Sequence, residues 1–501
     1  MNKIVFVFAI FISLFAEAQK KSNPSTYGTS ITSDDLKKHL YIIAGKEMAG
    51  RETATEGERK AAAYIENHFK QIGLVPGNKG DYQMYFNVYN DSLIHSELEI
   101  NNQKFQFDKD FSANVSSNVP ATYRFSEVVF VGQGRSDSVN DDYGTIDVRG
   151  KAVIMFGNLA PKSGIRGGSI FSKLEAARKK GAASILFINE LSPNPTPRRG
   201  NMYLQGFKRS ILPQQFYISQ LIAQAIMGPA YDSAYNNSIP ARTFSANILL
   251  DFNKRMITTK SSNVLGLLEG SDLKDEYVFI TAHYDHLGKR GDTVIYYGAD
   301  DDGSGTVSIL ELAEAFAIAK KAGKGPRRSI VFMAVSGEEK GLWGSAYYGD
   351  HPVFPLEKTT VDLNIDMIGR IDPKRVNGDS TNYVYVVGDD KLSSDLRPIS
   401  EAMNKKYTKL ELDYKYNDPK DPERIYFRSD HYNFAKNGVP IIFYFNGTHR
   451  DYHRPTDTPD KINYTLLEKR ARLIFYTAWE IANRNNLLKR DIPLDPASVR
   501  R

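Results

Sequence analysis

The sequence predicts an α/β protein whose central sheet is mainly parallel and flanked by helices. From about residue 263, continuous apolar runs alternate with segments of helical periodicity. Such runs are typical of strands buried on both faces, and their alternation with helices indicates a parallel sheet. The predicted strands are 277–282, 329–335, 361–365, 383–387 and 439–445. A helix is predicted over 306–319, directly after the Gly-rich segment 302–305.

The part of the chain before this sheet is predicted to contain helices and then antiparallel strands. Ser33 caps a first helix, and Ile65 and Phe69 belong to a second apolar face before Gly73 ends that helix. From about 80 to 130, short alternating runs rich in Tyr, Phe and Val indicate antiparallel strands.

Length and composition narrow the class of protein. A chain of 501 residues exceeds the usual size of one hydrophobic core, so we expect two or three domains. The 65 Lys and Arg against 59 Asp and Glu leave a mild charge of +6, which does not favour nucleic-acid binding. The chain has no Cys, which excludes disulfides, thiolate metal ligands and cysteine nucleophiles. Any metal must therefore be held by His, Asp and Glu.

The N-terminus has the layout of a secretory signal peptide. A basic start at Lys3 precedes the apolar run 4–16 and a small-x-small cleavage site that ends at Ala18. The apolar run is 13 residues long, whereas a membrane-spanning helix needs about 20. We therefore expect export to the periplasm or the extracellular space, with no membrane anchor.

The middle of the chain is predicted to be a compact mixed unit. Strands are predicted at 128–132, 150–156 and 184–188, with a helix over 173–180. The segments DYGTIDVRGKAVIMF and KLEAARKKGAASILFINE resemble the protease-associated (PA) domain. That resemblance implies an inserted mixed α/β PA domain and suggests a peptidase, because PA domains accompany several peptidase families.

Four of the predicted strands of the parallel sheet, 277–282, 329–335, 361–365 and 439–445, are followed by His or carboxylate residues. In open α/β sheets, ligands bind beyond the carboxyl ends of the strands, so we expect these residues to form one site. The groups that follow the strands are His283-Tyr284-Asp285-His286, Asp300-Asp301-Asp302, Glu338-Glu339, Asp366 and Tyr452-His453.

The residue types of these groups indicate a zinc site. Imidazole with carboxylate suits Zn²⁺, with Mn, Co and Fe as weaker candidates. Two Zn²⁺ with three carboxylate ligands and one hydroxide would be neutral, and one metal would leave carboxylates crowded and unused. We therefore expect two Zn²⁺, roughly 3.5–4 Å apart, that share a carboxylate and a water.

Five segments resemble the motifs of the M28 zinc-peptidase family, in order and in spacing: AHYDHLG, GADDDGSG, SGEEKGLWGS, NIDMIG and DYHRPTDT. This family includes leucine-type aminopeptidases and glutamate carboxypeptidases, and the likeness spans about 30–115 and 260–490. It implies that His283 and Asp366 bind one zinc, that Glu339 and His453 bind the other, and that Asp301 bridges them.

The resemblance and the predicted elements imply a zinc-exopeptidase fold interrupted by an insert. The expected organisation is a signal peptide at 1–18, a first peptidase part at 19–120, a PA-like insert at 121–255 and the catalytic part at 256–495.

Three further residues are given catalytic roles. Asp285 would accept the far ring N–H of His283 and so fix its tautomer. Glu338 is not needed for coordination and would act as the general base on the bridging water. Tyr452 matches a tyrosine that some aminopeptidases of the family use to stabilise the oxyanion, with a packing role as the alternative.

Other polar residues are given structural roles. Asp300 and Asp302 flank the bridging residue, and we expect them to shape its loop rather than to bind metal. For Asp430 and His431, a structural hydrogen bond is favoured.

The expected function is secreted dinuclear zinc aminopeptidase activity on peptide substrates. Three alternatives stay open: a carboxypeptidase of the glutamate carboxypeptidase type, a single-zinc glutaminyl cyclase-like enzyme, and a non-catalytic binding protein that keeps the peptidase and PA folds. The preferred residue at the cleaved end and the oligomeric state do not follow from the sequence.

Overall fold

A computed structural model describes residues 23–162, 164, 167–190, 197–205 and 212–494. The predicted signal peptide, 1–18, lies outside these residues. The chain divides into two compact units. The first consists of the described residues up to Phe86 and from Lys260 onward, and the second is Asn87–Thr259. Among the described residues, no helix is both long enough and apolar enough to cross a bilayer.

The first unit is built on the mainly parallel sheet that the sequence predicts. From one edge, its strands are Glu411–Asp413, Tyr383–Val387, Ile441–Phe445, Thr359–Ile365, Leu273–His283, Arg328–Val335 and the end of Arg242–Leu268. The strand Leu273–His283 is parallel to both of its neighbours, and Thr359–Ile365 is parallel to Ile441–Phe445. Only two of the pairs along this path are antiparallel: Tyr383–Val387 with Ile441–Phe445, and residues 264–268 with 330–334.

Helices cover both faces of this sheet. Because successive side chains of a strand point to opposite faces, each central strand contributes to two hydrophobic cores. Val278 and Ile280 pack in one core with the helices Ser33–Ile43, Glu56–Ile72, Gly305–Lys321 and Tyr464–Asn483. Phe279 packs in another core with the helices Trp343–Asp350 and His431–Ala435. The continuous apolar runs in the sequence reflect this burial on both faces.

Several shorter elements complete the first unit. The short helices are Ser25–Gly28 and Leu396–Met403. The short strands are Val75–Pro76, Lys289–Arg290 and Val294–Ile295.

The second unit contains parallel and antiparallel strands. Ala121–Phe130, Ala152–Phe156, Ser184–Ile188 and Gln214–Ile218 are adjacent and parallel in that order. Phe111–Ala113 and residues 242–252 form antiparallel edges. The remaining elements are the helices Ile170–Lys179, Gln220–Met227 and Ala230–Asn237, and the strands Gln83–Ile100, Gln103–Phe105 and Arg199–Tyr203.

The second unit begins earlier than the sequence analysis placed the insert. Residues 87–120, assigned above to the first peptidase part, belong with 121–255. Leu98, Ile100 and Phe105 are buried in one core with Phe130 and Ile154. The start of the second unit is therefore set by hydrophobic contacts between segments that are distant in sequence. Local composition does not reveal such contacts.

Arg51 is fully buried and ties together the segments that lead into the strand-end edge of the first unit. Its guanidinium donates hydrogen bonds of 2.7 to 3.0 Å to the main-chain oxygens of Ile43, Tyr284, Tyr297 and Gly298.

We expect Arg51→Met to lower the free energy of unfolding by about 3–5 kcal/mol, because these buried carbonyl groups would lose their donors. Urea denaturation followed by tryptophan fluorescence checks this in the relevant unit, since both tryptophans, Trp343 and Trp479, lie in the first unit. The exposed Lys60→Met is the matched control, expected within about 0.5 kcal/mol of wild type. An equally small effect of Arg51→Met would contradict the expectation.

Candidate metal centre

The candidate site lies at the carboxyl ends of the parallel strands. His283 is the last residue of Leu273–His283, and Asp366 directly follows Thr359–Ile365. Glu338 and Glu339 stand in the loop after Arg328–Val335. Because these strands are parallel neighbours, their ends meet at one edge and deliver the side chains to one place.

Three of the predicted ligands form a group around His283. Its Nε2 atom lies 3.3 Å from Asp301 Oδ1 and 3.7 Å from Asp366 Oδ1. His283 and Asp301 are buried, and Asp366 is 7% exposed. Asp302 is also close enough to share a cation with His283 and Asp366.

The other predicted ligands form a second group. His453 Nε2 lies 3.1 Å from Asp301 Oδ2 and 3.2 Å from Glu339 Oε2. These two carboxylates raise the pKa of His453 to about 10, against the lowering effect of its burial. His286 completes the group, with Nδ1 2.8 Å from Glu339 Oε1 and 3.8 Å from Asp301 Oδ2.

Asp301 stands between the two groups. One of its carboxylate oxygens, Oδ1, faces His283, and the other, Oδ2, faces His453 and His286. A carboxylate with one oxygen directed at each ligand group has the geometry that a shared ligand of two metals requires.

The bonding state of these atoms fits a metal site. Buried polar atoms that lack a hydrogen-bond partner are costly in a protein interior. Within the described residues, such atoms include His283 Nε2, both ring nitrogens of His286, Asp301 Oδ2 and Glu339 Oε1, which lie close to one another without the geometry of a hydrogen bond. Nitrogen and oxygen donors in this combination are those that Zn²⁺ accepts, so the residues present fit the implied metal.

Glu338 and Asp285 adjoin this centre. Glu338 Oε2 lies 4.0 Å from His283 Nε2, which places Glu338 at the rim of the first group. Burial, together with the charges of Asp366 and Glu339, raises the pKa of Glu338 well above its usual value. The Asp285 carboxylate accepts hydrogen bonds from the Thr53 hydroxyl (2.7 Å) and from the Glu338 main-chain N–H (3.1 Å).

The expected hydrogen bond from His283 to the Asp285 carboxylate is not present. His283 Nδ1 lies 3.7 Å from Asp285 Oδ1 but 3.1 Å from the main-chain oxygen of Asp285. The carboxylate is turned toward Thr53 and Glu338, so it is the carbonyl group that faces the ring of His283.

Tyr452 lies against the centre. Its ring stacks on the imidazole of His453, with ring centroids 3.9 Å apart. Its hydroxyl accepts a hydrogen bond of 3.1 Å from Arg428 Nη2, which leaves the hydroxyl proton free to point elsewhere. Burial raises the pKa of Tyr452, so the hydroxyl stays protonated.

Two residues of the centre were not assigned to metal by the sequence analysis. They are His286 and Asp302. The sequence places His286 in the segment His283-Tyr284-Asp285-His286, which could have suggested it as a ligand, but the direction of its side chain depends on the path of the loop. Asp302 does shape its loop as expected, since its Oδ1 atom accepts the main-chain N–H groups of Gly305 and Met367. Its other oxygen has no hydrogen-bond partner among the described residues, and Asp302 belongs to the group around His283.

A buried network supports the Asp301 loop from behind. Asp457 Oδ2 accepts the main-chain N–H groups of Asp300 (2.9 Å) and Asp301 (3.2 Å). Asp300 accepts the N–H of Gly369 at 2.7 Å and lies 3.1 Å from His449 Nε2. Asp300 therefore shapes the loop, as expected, and the network joins the loop to the segments after two other strands.

We expect Asp457→Ala to weaken zinc binding about 10- to 100-fold, because the Asp301 backbone would lose its buried acceptor. Competition against a zinc-binding dye measures this directly. Asp460→Ala, in the same loop but exposed, is the matched control and should bind zinc as wild type does. Equal affinities of the two variants would contradict the supporting role.

The pair Asp430 and His431 has the structural role expected of it. Asp430 accepts a hydrogen bond of 2.5 Å from the Ser345 hydroxyl. The His431 Nε2 atom lies 2.8 Å from the main-chain oxygen of Tyr426. Both side chains are fully buried, and their contacts join the helix His431–Ala435 to its surroundings.

The candidate metal centre lies in a part of the chain that is similar to known proteins. Residues 263–478 match the model of Peptidase family M28. The chain is 31% identical over 154 residues to "Aminopeptidase NAALADL1" of Mus musculus, which covers 30% of this chain and 19% of that protein. It is 27% identical over 207 residues to "Probable glutamate carboxypeptidase LAMP1" of Arabidopsis thaliana, which covers 41% of this chain and 28% of that protein.

A solved structure shares the fold. The zinc aminopeptidase BSAP from Bacillus subtilis superimposes with a TM-score of 0.53 and 19% identity, over 92% of this chain and 99% of that one. The matches to the curated relatives span only 17% to 59% of those proteins' own lengths. The segment that matches Peptidase family M28, residues 263–478, holds every residue of the candidate metal centre.

Proposed function

We propose that the protein is an exported dinuclear zinc aminopeptidase, which hydrolyses the N-terminal peptide bond of peptides. The observation that carries this proposal is the position of Asp301, with one carboxylate oxygen directed at each of two His-carboxylate groups. The match of residues 263–478 to Peptidase family M28 supports it, as do relatives named as aminopeptidases.

The proposed ligands are His283 and Asp366 for one zinc, Glu339 and His453 for the other, and Asp301 for both. His286 is a further candidate for the second zinc, because its Nδ1 atom lies beside Glu339. When bound, zinc polarises a scissile carbonyl group and lowers the pKa of water.

The residues around the centre have separate proposed roles. Glu338 takes a proton from the attacking water at a carboxylate oxygen and returns it to the leaving amine as the carbon–nitrogen bond breaks. Asp285 positions Glu338 by accepting its main-chain N–H. Tyr452 donates a hydrogen bond from its hydroxyl to the oxyanion, while the oxygen of that hydroxyl accepts a hydrogen bond from Arg428 Nη2.

The second unit, Asn87–Thr259, is proposed to be a PA-like domain. The helix Ile170–Lys179 connects two of its parallel strands, Ala152–Phe156 and Ser184–Ile188, which agrees with a mixed α/β domain. Export is proposed because segment 1–18 has the layout of a secretory signal peptide.

Carboxypeptidase activity is the one alternative to aminopeptidase activity that a comparison supports. The similarity to a probable glutamate carboxypeptidase leaves release of C-terminal residues as the second candidate. The single-zinc alternative fits the site less well, because a single metal ion would leave one of the two ligand groups unused.

We expect the zinc-loaded protein to cleave Leu-Gly-Gly, to lose this activity with a chelator and to regain it with zinc. Acetylation of the peptide N-terminus should lower kcat/KM by about 10²-fold or more, because an aminopeptidase binds the free amine. Undiminished cleavage of the acetylated peptide, with release of the C-terminal residue, would instead establish the carboxypeptidase alternative. Mass spectrometry of the products distinguishes the two.

A further inference from the structure

A buried glutamate, Glu58, lies outside both ligand groups of the candidate metal centre. It belongs to the helix Glu56–Ile72 and is 1% exposed. It forms no ion pair within the described part of the chain, and a buried carboxyl group without a cationic partner is costly. The role of Glu58 therefore lies in its hydrogen bonds.

The two carboxyl oxygens of Glu58 bond different parts of the chain. Oε2 accepts a hydrogen bond of 2.7 Å from the main-chain N–H of Ala54. Oε1 accepts hydrogen bonds from the hydroxyl groups of Ser261 and Ser336, and these two hydroxyl oxygens lie 2.9 Å apart. Glu58 therefore joins the loop before its own helix to the segment that follows the strand Arg328–Val335.

The first of these connections leads to the proposed base, Glu338, along the chain. Ser336 is fully buried and stands two residues before Glu338. Gly337, between them, has a φ of 77°, a left-handed conformation that glycine adopts without strain. The hydrogen bond from Ser336 to Glu58 therefore anchors the start of the turn that carries Glu338.

The second connection reaches Glu338 through side chains. Thr53 precedes Ala54, and its hydroxyl donates a hydrogen bond of 2.7 Å to Asp285 Oδ2. Asp285 Oδ1 in turn accepts the main-chain N–H of Glu338 at 3.1 Å. Thr53 and Asp285 are fully buried, so water does not compete for these bonds.

The two connections meet at Glu338 and close a ring, which holds the main chain of this residue from two directions. We call it the Glu58 ring, and its members are Glu58, Ser336, Gly337, Glu338, Asp285, Thr53 and Ala54.

We propose that Glu58 is a positioning residue for Glu338 and holds the proposed base in place through the Glu58 ring. This inference rests on the proposed function, because it concerns the base of the same reaction. A base must lie within hydrogen-bond reach of the proton that it takes, and a displacement of about 1 Å can lower turnover by about 10²-fold. Because Glu58 belongs to neither ligand group, its replacement should displace the base and remove no ligand.

The first test replaces Glu58 in the zinc-loaded full chain. Glu58→Met has a similar length but accepts no hydrogen bond through its carboxyl group, so kcat for Leu-Gly-Gly should fall about 10- to 100-fold. KM should stay within about twofold of wild type and zinc content should not change, because the loss concerns the transition state. Glu58→Gln should recover most of the lost turnover, since the serine hydroxyls can rotate to accept its N–H groups. Equal turnover of the two variants would overturn the role of these hydrogen bonds.

A second test opens the ring at a single hydroxyl group. Ser336→Ala should lower kcat by about 3- to 10-fold with zinc retained. Ser329→Ala is the matched control, since Ser329 is a buried serine near the other end of the same strand, where its hydroxyl bonds the main chain of Lys274 and Gly270. It should turn over peptide as wild type does. If Glu58→Met does not fold, the comparison of these two serine variants decides the proposal.

Combining the changes tests whether Glu58 and Ser336 act through one ring. The double variant of Glu58→Met and Ser336→Ala should have the same kcat as Glu58→Met alone, because both changes open the same ring. Losses that multiply would show that the two residues act separately, and they would overturn the proposal.

Hydrogen exchange tests the inference independently of turnover. In Glu58→Met and in Ser336→Ala, the main-chain N–H of Glu338 should exchange about tenfold or more faster than in wild type, because its bond to Asp285 opens more often. The strand 329–335 should exchange as in wild type, which shows that the sheet is intact. Mass spectrometry of peptides from the zinc-loaded protein measures both, and unchanged exchange at Glu338 would overturn the proposal.

The outcomes separate this inference from the proposed function. If wild type cleaves Leu-Gly-Gly and Glu58→Met cleaves it equally well, the proposed function stands and the role of Glu58 is overturned. Loss of zinc together with turnover in Glu58→Met also overturns it, because Glu58 would then support the ligands rather than the base. If wild type cleaves no peptide, the proposed function falls, while hydrogen exchange still decides whether Glu58 holds Glu338 in place.

Discussion

Glu338→Gln is expected to lower turnover of Leu-Gly-Gly by about 10²–10⁴-fold while zinc content stays at the wild-type level. The side chain lies 4.0 Å from His283 Nε2, outside the two groups of proposed ligands, so the amide removes a proton acceptor and no ligand. KM should change little, because the loss concerns the proton transfer in the transition state.

The neighbouring residue provides the contrast for this experiment. Glu339 faces His453 at 3.2 Å and His286 at 2.8 Å, so Glu339→Gln should lose zinc as well as activity. Metal analysis of both variants, beside the exposed control Glu357→Gln, separates the proposed base from the proposed ligand. Near-normal turnover of Glu338→Gln would remove Glu338 from the role of base.

Asp301→Ala is expected to have the second large effect, the loss of zinc and activity together. Because one carboxylate serves both ligand groups, its removal weakens both metal positions at once. Zinc content should fall from about two ions per chain to below about one, and turnover should fall to background.

The controls for Asp301→Ala guard against simple misfolding. Tryptophan fluorescence in urea reports whether the first unit still folds, since Trp343 and Trp479 both lie in it. Asp292→Ala replaces an exposed carboxylate ahead of the same loop and should keep both zinc and activity. If Asp301→Ala keeps its zinc, the shared ligand is instead Asp300 or Asp302.

The parallel sheet was predictable because its evidence is local. A strand buried on both faces needs a continuous apolar run, and that run can be recognised without knowledge of the partner strands. The predicted strand 383–387 matches the observed one, and the other four differ from the observed strands by four residues or fewer at either end. The grouping of His283, Glu339 and Asp366 then follows, because parallel neighbours end at the same edge.

Contacts that depend on loop paths were not predictable in the same way. The main-chain N–H of His286 donates to the main-chain oxygen of Arg51, far earlier in the chain, and this bond helps to set where the imidazole points. The support of Asp301 by Asp457 likewise joins two loops that the sequence keeps apart. The early start of the second unit depends on the same kind of long-range packing.

The sequence by itself therefore determined the mainly parallel fold and, through the absence of Cys, the restriction of any metal to His and carboxylate ligands. Only the tertiary structure decided which atoms face one another. It placed His286 beside Glu339 and turned the Asp285 carboxylate away from His283. The physical reason is that burial and strand periodicity are properties of one segment, whereas side-chain direction at a strand end depends on hydrogen bonds between several segments.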